Sequence, residues 1–320
     1  MYPGFLSPFI FGIALILLHP VGAGAQERRV PHSALEARLS LAPIVAQASP
    51  AVVNIYATRI ARGGGRMGGD PFFRQFGIAP DRLQQSLGSG VIVRADGVIV
   101  TNNHVVEGAD ALKVVLSDRR EFDARLILAD PRTDLAVLRI DAGSERLTAL
   151  AYADTRAAQV GDFVIAIGNP FGLQQTVTSG IISALARTEV GINDYAFFVQ
   201  TDAAINRGNS GGALVDLSGH LVGVNTAIFS EGGGSNGIGF AIPAEMVRRV
   251  VDSAISNGRV VRPWLGVRTQ SITAETARAV GMDRPRGVMV TQVHPSGAAQ
   301  NAGLRTGDIV LSVDGVEVRE

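Results

Sequence analysis

The sequence has no cysteine, and its 29 basic residues include a single lysine, Lys113. Without cysteine there is no disulfide, no thiolate metal site and no cysteine nucleophile, while reducing and oxidising compartments both stay open. With Lys113 the only lysine, in the stretch "ALKVV", the Gly-Lys-Ser/Thr ending of a phosphate-binding loop is missing. ATP-driven work through such a loop is therefore excluded. The 29 acidic residues balance the 29 basic ones, and no basic run occurs. This removes bulk nucleic-acid binding from the candidate functions. Long apolar runs are also scarce. The strongest, "FLSPFIFGIALILL" at residues 5–18, is interrupted by Pro8 and falls short of the about 20 apolar residues a spanning helix needs.

That run is followed by "VGAGA", which places Ala23 and Ala25 as in an A-x-A cleavage site. Residues 1–25 therefore read as an export signal cut near Ala25, with 26–39 a short N-terminal segment. No Lys or Arg precedes Arg28, so only the terminal amine supplies positive charge, and an uncleaved membrane anchor is the alternative. A length of 320 residues leaves room for two domains behind the leader.

From about residue 40 to 243 the chain is a series of short apolar or alternating runs separated by turn residues: "SGVIVRADGVIVTN", "LKVVLSD", "EFDARLILAD", "DLAVLRI", "DFVIAIGNP" and "LVGVNTAI". Asp96-Gly97 suits a tight hairpin turn with positive φ angles. Many short strands with little helical spacing point to a mostly β chain, an antiparallel barrel or sandwich rather than a parallel α/β sheet. The first long helical pattern is "PAEMVRRVVDSAISNG", with Met246, Val247, Val250, Val251, Ala254 and Ile255 on one face and Gly258 as a stop. One domain is thus predicted over 40–258 and a smaller one over 262–320, itself strands and turns with one short helical stretch near Ala274 to Val280. Residues 59–86, with five glycines between 63 and 69, read as a mobile insertion. Its Phe72, Phe73 and Phe76 either dock into a neighbouring subunit or fold back on their own domain.

The chemistry centres on "GNSGG", where Ser210 lies in a glycine cluster. A serine hydroxyl becomes a nucleophile only beside a base, which needs a carboxylate to orient it. Of the five histidines, His19 and His32 are N-terminal, His220 sits in a hairpin turn and His294 precedes Pro295 in the second domain. His104, in "TNNHVVEGA" at the end of a strand, is the candidate base. Asp134 in "DPRTDLAVLRI" follows it, giving the order His, Asp, Ser, although Asp130 competes on spacing alone. "GNSGG" also fits the Gly-x-Ser-x-Gly elbow of α/β-hydrolases, but that elbow leads into a helix and precedes its acid and histidine. Here the serine is followed by a strand, a Ser218-Gly219 turn and another strand. In a double-barrel serine peptidase the nucleophile lies on such an inter-strand loop, with the Gly208 and Ser210 N–H groups as the oxyanion donors.

"TNNHVV", "DPRTDLAVLRI", "VGDFVIAIGNPFGLQQTVTSGIISAL", "FVQTDAAINRGNSGGALVD" and "GIGFAIP", in this order from about residue 40, resemble the HtrA (Deg, or protease Do) family of trypsin-fold serine endopeptidases. The resemblance implies a chymotrypsin/trypsin-like double β-barrel followed by a PDZ domain. It selects Asp134 over Asp130, and makes His104 the general base and Ser210 the nucleophile, with no cofactor or metal. In such folds the P1 pocket floor lies about six residues before the serine. That is Ala204, with Ile205 beside it and the strand through Thr226, Ala227 and Ile228 as a wall. No carboxylate stands there to receive Lys or Arg, so cleavage after small or medium aliphatic residues is expected. Asp202, the nearest acid, is assigned to structure. The resemblance further makes "ARTEVGINDY" a loop relaying PDZ occupancy through Arg187, and the 59–86 insertion a regulatory loop reaching another subunit of a homotrimer or larger cage.

The tail resembles a PDZ domain whose "RPWLGV" would hold a peptide C-terminus on the N–H groups of Leu265, Gly266 and Val267. The helix that forms the other wall of the peptide groove would follow "GDIVLSVDGVEV", so the domain reads as C-terminally incomplete. The leading expectation is an exported, periplasmic, ATP-independent endopeptidase degrading unfolded envelope proteins. The alternatives are a holdase-like chaperone, and a membrane-anchored regulatory protease if the leader is not cleaved.

Overall fold

A computed structural model describes residues 40–60, 83–155, 157–169, 175–187, 198–206, 208–228, 235–260, 262 and 264–318. The leader, the core of the glycine-rich insertion with its three phenylalanines, and residues 188–195 of the relay loop lie outside the described residues. The chain divides into two compact units, Met1–Val247 and Arg248–Glu320.

In the first unit, helix α1 (Ala42–Ala48) and a 3-10 turn (Ser49–Ala51) lead into six strands: β1 (Val52–Ile60), β2 (Leu83–Arg94), β3 (Val98–Asn102), β4 (Ala111–Val115), β5 (Glu121–Asp130) and β6 (Leu135–Ile140). They close into an antiparallel barrel in the order β1-β2-β3-β6-β5-β4, with β4 returning to β1. β3 is buried along its whole length and β6 almost so, which is why both read as continuous Val/Ile/Leu runs. β5 keeps solvent on one side and reads as an alternation. The β2–β3 connection differs from a two-residue hairpin turn. Arg94 pairs with Val98 across three residues, and Gly97 alone has positive φ, 92°. A three-residue loop needs one left-handed position, and glycine supplies it without steric cost.

Strands β7 (Phe163–Gly168), β8 (Thr176–Arg187), β9 (Phe198–Thr201), β10 (Ala213–Val215), β11 (Leu221–Ile228) and β12 (Gly239–Pro243) close a second barrel in the order β10-β11-β12-β9-β8-β7. Its core includes Val164, Ile182, Val199, Ile205, Leu214 and Val222. The predicted mostly β architecture is therefore two six-stranded barrels, one for each half of the first unit.

The long helical pattern forms α3 (Ala244–Asn257), and the division between the units falls inside it. Val247, Val250, Val251 and Ala254 are buried as the spacing predicts, but Ile255 is 40% exposed. The buried stripe ends at Ala254, one residue earlier than the sequence suggests. In the second unit, β13 (Val267–Ser271), β14 (Val288–Val293) and β15 (Ile309–Val310) form an antiparallel sheet with β13 at its edge, and β16 (Ser312–Val313) pairs with β17 (Val316–Glu317). Helix α4 (Ala274–Ala279) appears at the expected stretch, capped by Thr273, whose hydroxyl accepts the Thr276 N–H at 3.1 Å. Among the described residues no helix is long and apolar enough to cross a membrane.

Candidate active site

His104 lies two residues beyond the end of β3, in the single helical turn α2 (Asn103–Val106), not in the strand itself. Asp134 ends the turn between β5 and β6 with φ at 55°, a left-handed conformation that aspartate tolerates better than most residues. Strands β3 and β6 pair directly, Asn102 against Leu135, so the residues following one and preceding the other come together by register alone. The Asp134 carbonyl accepts the Asn103 N–H at 3.0 Å and the Asn102 side-chain amide at 3.1 Å. Its carboxylate accepts the His104 backbone N–H at 3.0 Å and stands 2.8 Å from His104 Nδ1. A carboxylate can only accept here, so Nδ1 carries the proton and Nε2 is left as an acceptor. The rival acid is engaged elsewhere: Asp130 takes the Thr133 hydroxyl at 2.6 Å within its own turn.

Thr226, read from the sequence only as a pocket wall, has a second relation to the site. From β11 in the second barrel its hydroxyl donates to Asp134 Oδ2 at 2.6 Å, while its carbonyl accepts the Ser210 hydroxyl at 3.3 Å. One residue thus contacts both the acid and the serine, and it bridges the barrels. Among the described residues the Ser210 hydroxyl is hydrogen-bonded to this carbonyl and not to the imidazole.

The loop carrying Ser210 is pinned peptide by peptide. The Asn209 N–H reaches the Asn206 carbonyl at 3.0 Å, the Gly211 N–H the Asn225 carbonyl at 2.8 Å, and the Gly212 N–H the Asn209 carbonyl at 2.8 Å. Between Gly208 and Gly212, among the described residues, the Gly208 and Ser210 N–H groups take no part in this scheme. The glycine cluster has a steric reason too. A Cβ on Gly211, whose φ is 83°, would come within 2.1 Å of the Ser89 carbonyl oxygen and 2.4 Å of Thr101 Oγ1. No side chain fits where β2 and β3 press against the nucleophile loop.

The remaining predicted site residues are distributed as follows. Ala204 is half-buried and its carbonyl accepts the Thr178 hydroxyl at 2.8 Å. Ile205 is 1% exposed, its side chain in the core of the second barrel. Ala227 and Ile228 continue β11 beyond Thr226, and Arg187 ends β8; the side chains of all three lie outside the described ones. Asp202 accepts the Ile181 N–H at 2.7 Å, a structural bond beside the irregular pairing of β8 with β9. In the second unit Leu265 is exposed, its carbonyl accepting the Ala299 N–H at 2.9 Å. The Gly266 carbonyl accepts the His294 N–H at 2.7 Å, and Val267 opens β13. Sequence reasoning missed the Thr226–Asp134 contact and the bond from the Ser89 hydroxyl to the Gly208 carbonyl at 2.6 Å; neither has a local signal.

Residues 88–224 match the trypsin-like peptidase domain family and residues 289–320 the PDZ domain family. The chain is 42% identical to the periplasmic serine endoprotease DegP of Salmonella typhimurium over 94% of its own length and 69% of that protein. It is 51% identical to the protein of the same name from Escherichia coli K12, over 72% of this chain and 48% of the relative. Among solved structures, the HtrA-type protease AlgW with a tripeptide superposes with a TM-score of 0.70 at 46% identity, covering 87% of this chain and 84% of that one.

Proposed function

This chain belongs to the HtrA family of trypsin-like serine endoproteases, and from that premise we propose that it hydrolyses peptide bonds with Ser210 as nucleophile, His104 as general base and Asp134 as the group that orients the base. The observation that carries this reading is the Asp134 carboxylate, bonded at once to His104 Nδ1 and to the Thr226 hydroxyl, with Thr226 also holding Ser210. With Nδ1–H committed to Asp134, Nε2 is free to take the Ser210 proton once that hydroxyl turns from the Thr226 carbonyl to the ring. The alkoxide attacks the scissile carbonyl, and the Gly208 and Ser210 N–H groups receive the developing oxyanion. The imidazolium then protonates the leaving amine, and water repeats the sequence on the acyl-enzyme.

The proposed substrates are unfolded or misfolded polypeptides of the periplasm, cleaved without ATP after small or medium aliphatic residues. We assign the pocket lining to Ala204 and the β11 strand through Thr226, Ala227 and Ile228, none of which is an acid that would select basic residues. We assign the protease domain to 40–258 and a PDZ domain to 262–320, where Leu265, Gly266 and Val267 receive a peptide C-terminus beside the open edge of β13. Arg187 relays that occupancy, and the protein works as a homotrimer or larger assembly.

The test pairs a fluorophosphonate probe with a cleavage-site profile on an unfolded protein such as casein. Labelling of the wild type, its loss in Ser210→Ala, a fall in kcat of at least about 10,000-fold and cuts after Val, Ala, Ile or Leu are expected. An unlabelled wild type whose effect on casein is unchanged by Ser210→Ala makes the chain a holdase instead.

A further inference from the structure

The hydroxyl of Ser89 belongs to the other barrel, far from Ser210 in sequence, and yet it reaches the peptide unit next to the nucleophile. Ser89 lies in β2 and is 0% exposed. Its hydroxyl donates to the Gly208 carbonyl at 2.6 Å and accepts the Asn169 N–H, just past β7, at 2.8 Å. The direction of both bonds is fixed, because a carbonyl only accepts and an amide N–H only donates. The Ser89 N–H donates to the Ser210 carbonyl at 2.9 Å, and its own carbonyl accepts the Thr101 hydroxyl at 2.7 Å. Ser89 therefore grips the loop on both sides of Asn209, and Gly211 allows it to come so close.

We propose that Ser89 is a positioning residue for the oxyanion hole: its hydroxyl fixes the Gly208–Asn209 peptide, and through it the directions of the Gly208 and Ser210 N–H groups. Gly208 has φ at 94° and no side chain to restrict it, and within the loop, among the described residues, that peptide is held only at its N–H end, by the Asn206 carbonyl. The hold on its carbonyl end comes from β2. The bond to Asn169 extends the same control to the end of β7, so the segment after that strand and the oxyanion donors share one hydroxyl. The inference rests on Ser210 being the nucleophile, as proposed above.

The experiment uses Ser89→Ala and Ser89→Cys in the full chain, assayed on a chromogenic peptide with an aliphatic P1 residue. Inhibition is measured with a peptide boronic acid, whose tetrahedral adduct fills the oxyanion hole. Either substitution is expected to lower kcat on the order of 10- to 100-fold, with KM within about 2-fold, and to weaken boronate inhibition by the same factor as kcat. Ser89→Cys keeps the cavity filled, so it carries the test where Ser89→Ala does not fold. The inference is overturned if kcat stays within about 2-fold of wild type, or if kcat, KM and the thermal midpoint deteriorate together while boronate affinity per folded molecule is unchanged. Fluorophosphonate labelling of the wild type at Ser210 is run in parallel. Its absence sinks the protease reading itself, whereas labelling with a fully active Ser89→Ala sinks only the part given to Ser89.

Discussion

In the half of the site supplied by the first barrel, Asp134 receives five hydrogen bonds: two to its carbonyl, from Asn102 and Asn103, and three to its carboxylate, from the backbone and ring of His104 and from Thr226. In the half supplied by the second barrel the reacting hydroxyl has one bond of 3.3 Å, to a carbonyl it must leave before it can react. Beside it, the amide of Asn209 is 1% exposed with neither end hydrogen-bonded among the described residues. Asn102 Oδ1, on the acid side, is likewise unmet among the described residues. The proposed base and acid are thus held by more hydrogen bonds than the proposed nucleophile, on whose side Ser89 and Thr226 reach across from one barrel to the other.

Removing the charge from the acid half tests the contrast most severely. Asp134→Asn should leave the fold intact, because an amide can still meet Thr226 and the His104 N–H. It offers Nδ1 the wrong partner, however, and kcat should fall about 10,000-fold with little change in thermal midpoint. A fall of only about 10-fold would mean that the imidazole is oriented by something else. Thr226→Val is next. It deletes the hydroxyl that links the barrels but keeps the carbonyl and the β-branched shape, so kcat should drop on the order of 10-fold, with Thr226→Ser close to wild type. A drop as large as that of Asp134→Asn would place the rigidity of the acid half in the second barrel.

The smallest effect is expected on the outer surface of the first barrel. There Arg120 pairs with Glu145 and Asp118, and its hydrogen bonds hold the Glu145 carboxyl below its ordinary range, with all three side chains solvent-exposed. A depressed carboxylate stabilises the fold above its unfolded-state pKa and loses that contribution as pH falls through the folded one. Glu145→Gln should therefore lower the thermal midpoint by no more than about 2 °C at pH 7, and the difference should vanish toward pH 3. A larger shift would mean that surface pairs, rather than the buried β3 and β6, keep the first barrel rigid.

Much of this was legible in the sequence. Runs such as "EFDARLILAD" and "LVGVNTAI" coincide with β5 and β11, because short β-branched stretches between turn residues have few other folded states. The order His104, Asp134, Ser210 pointed to residues that the structure gathers around Thr226. What was not legible depends on pairs distant in sequence: Thr226 with Asp134 is separated by 92 residues and Ser89 with Gly208 by 119. Nothing local marks a threonine in a strand as a partner for an acid in another barrel. Spacing also could not separate Asp130 from Asp134. Only the β3–β6 register, which sets Asn102 beside Leu135, brings the later aspartate to His104.

Each barrel closes on itself, β4 pairing with β1 and β7 with β10, so among the described residues neither ends in an edge strand. For a protein proposed to live among unfolded chains this matters apart from catalysis. An open sheet border in such company is a template on which a stray segment can add itself and seed a fibre. Closure takes the end strands of both barrels out of that role, while in the second unit β13 remains at the edge of its sheet.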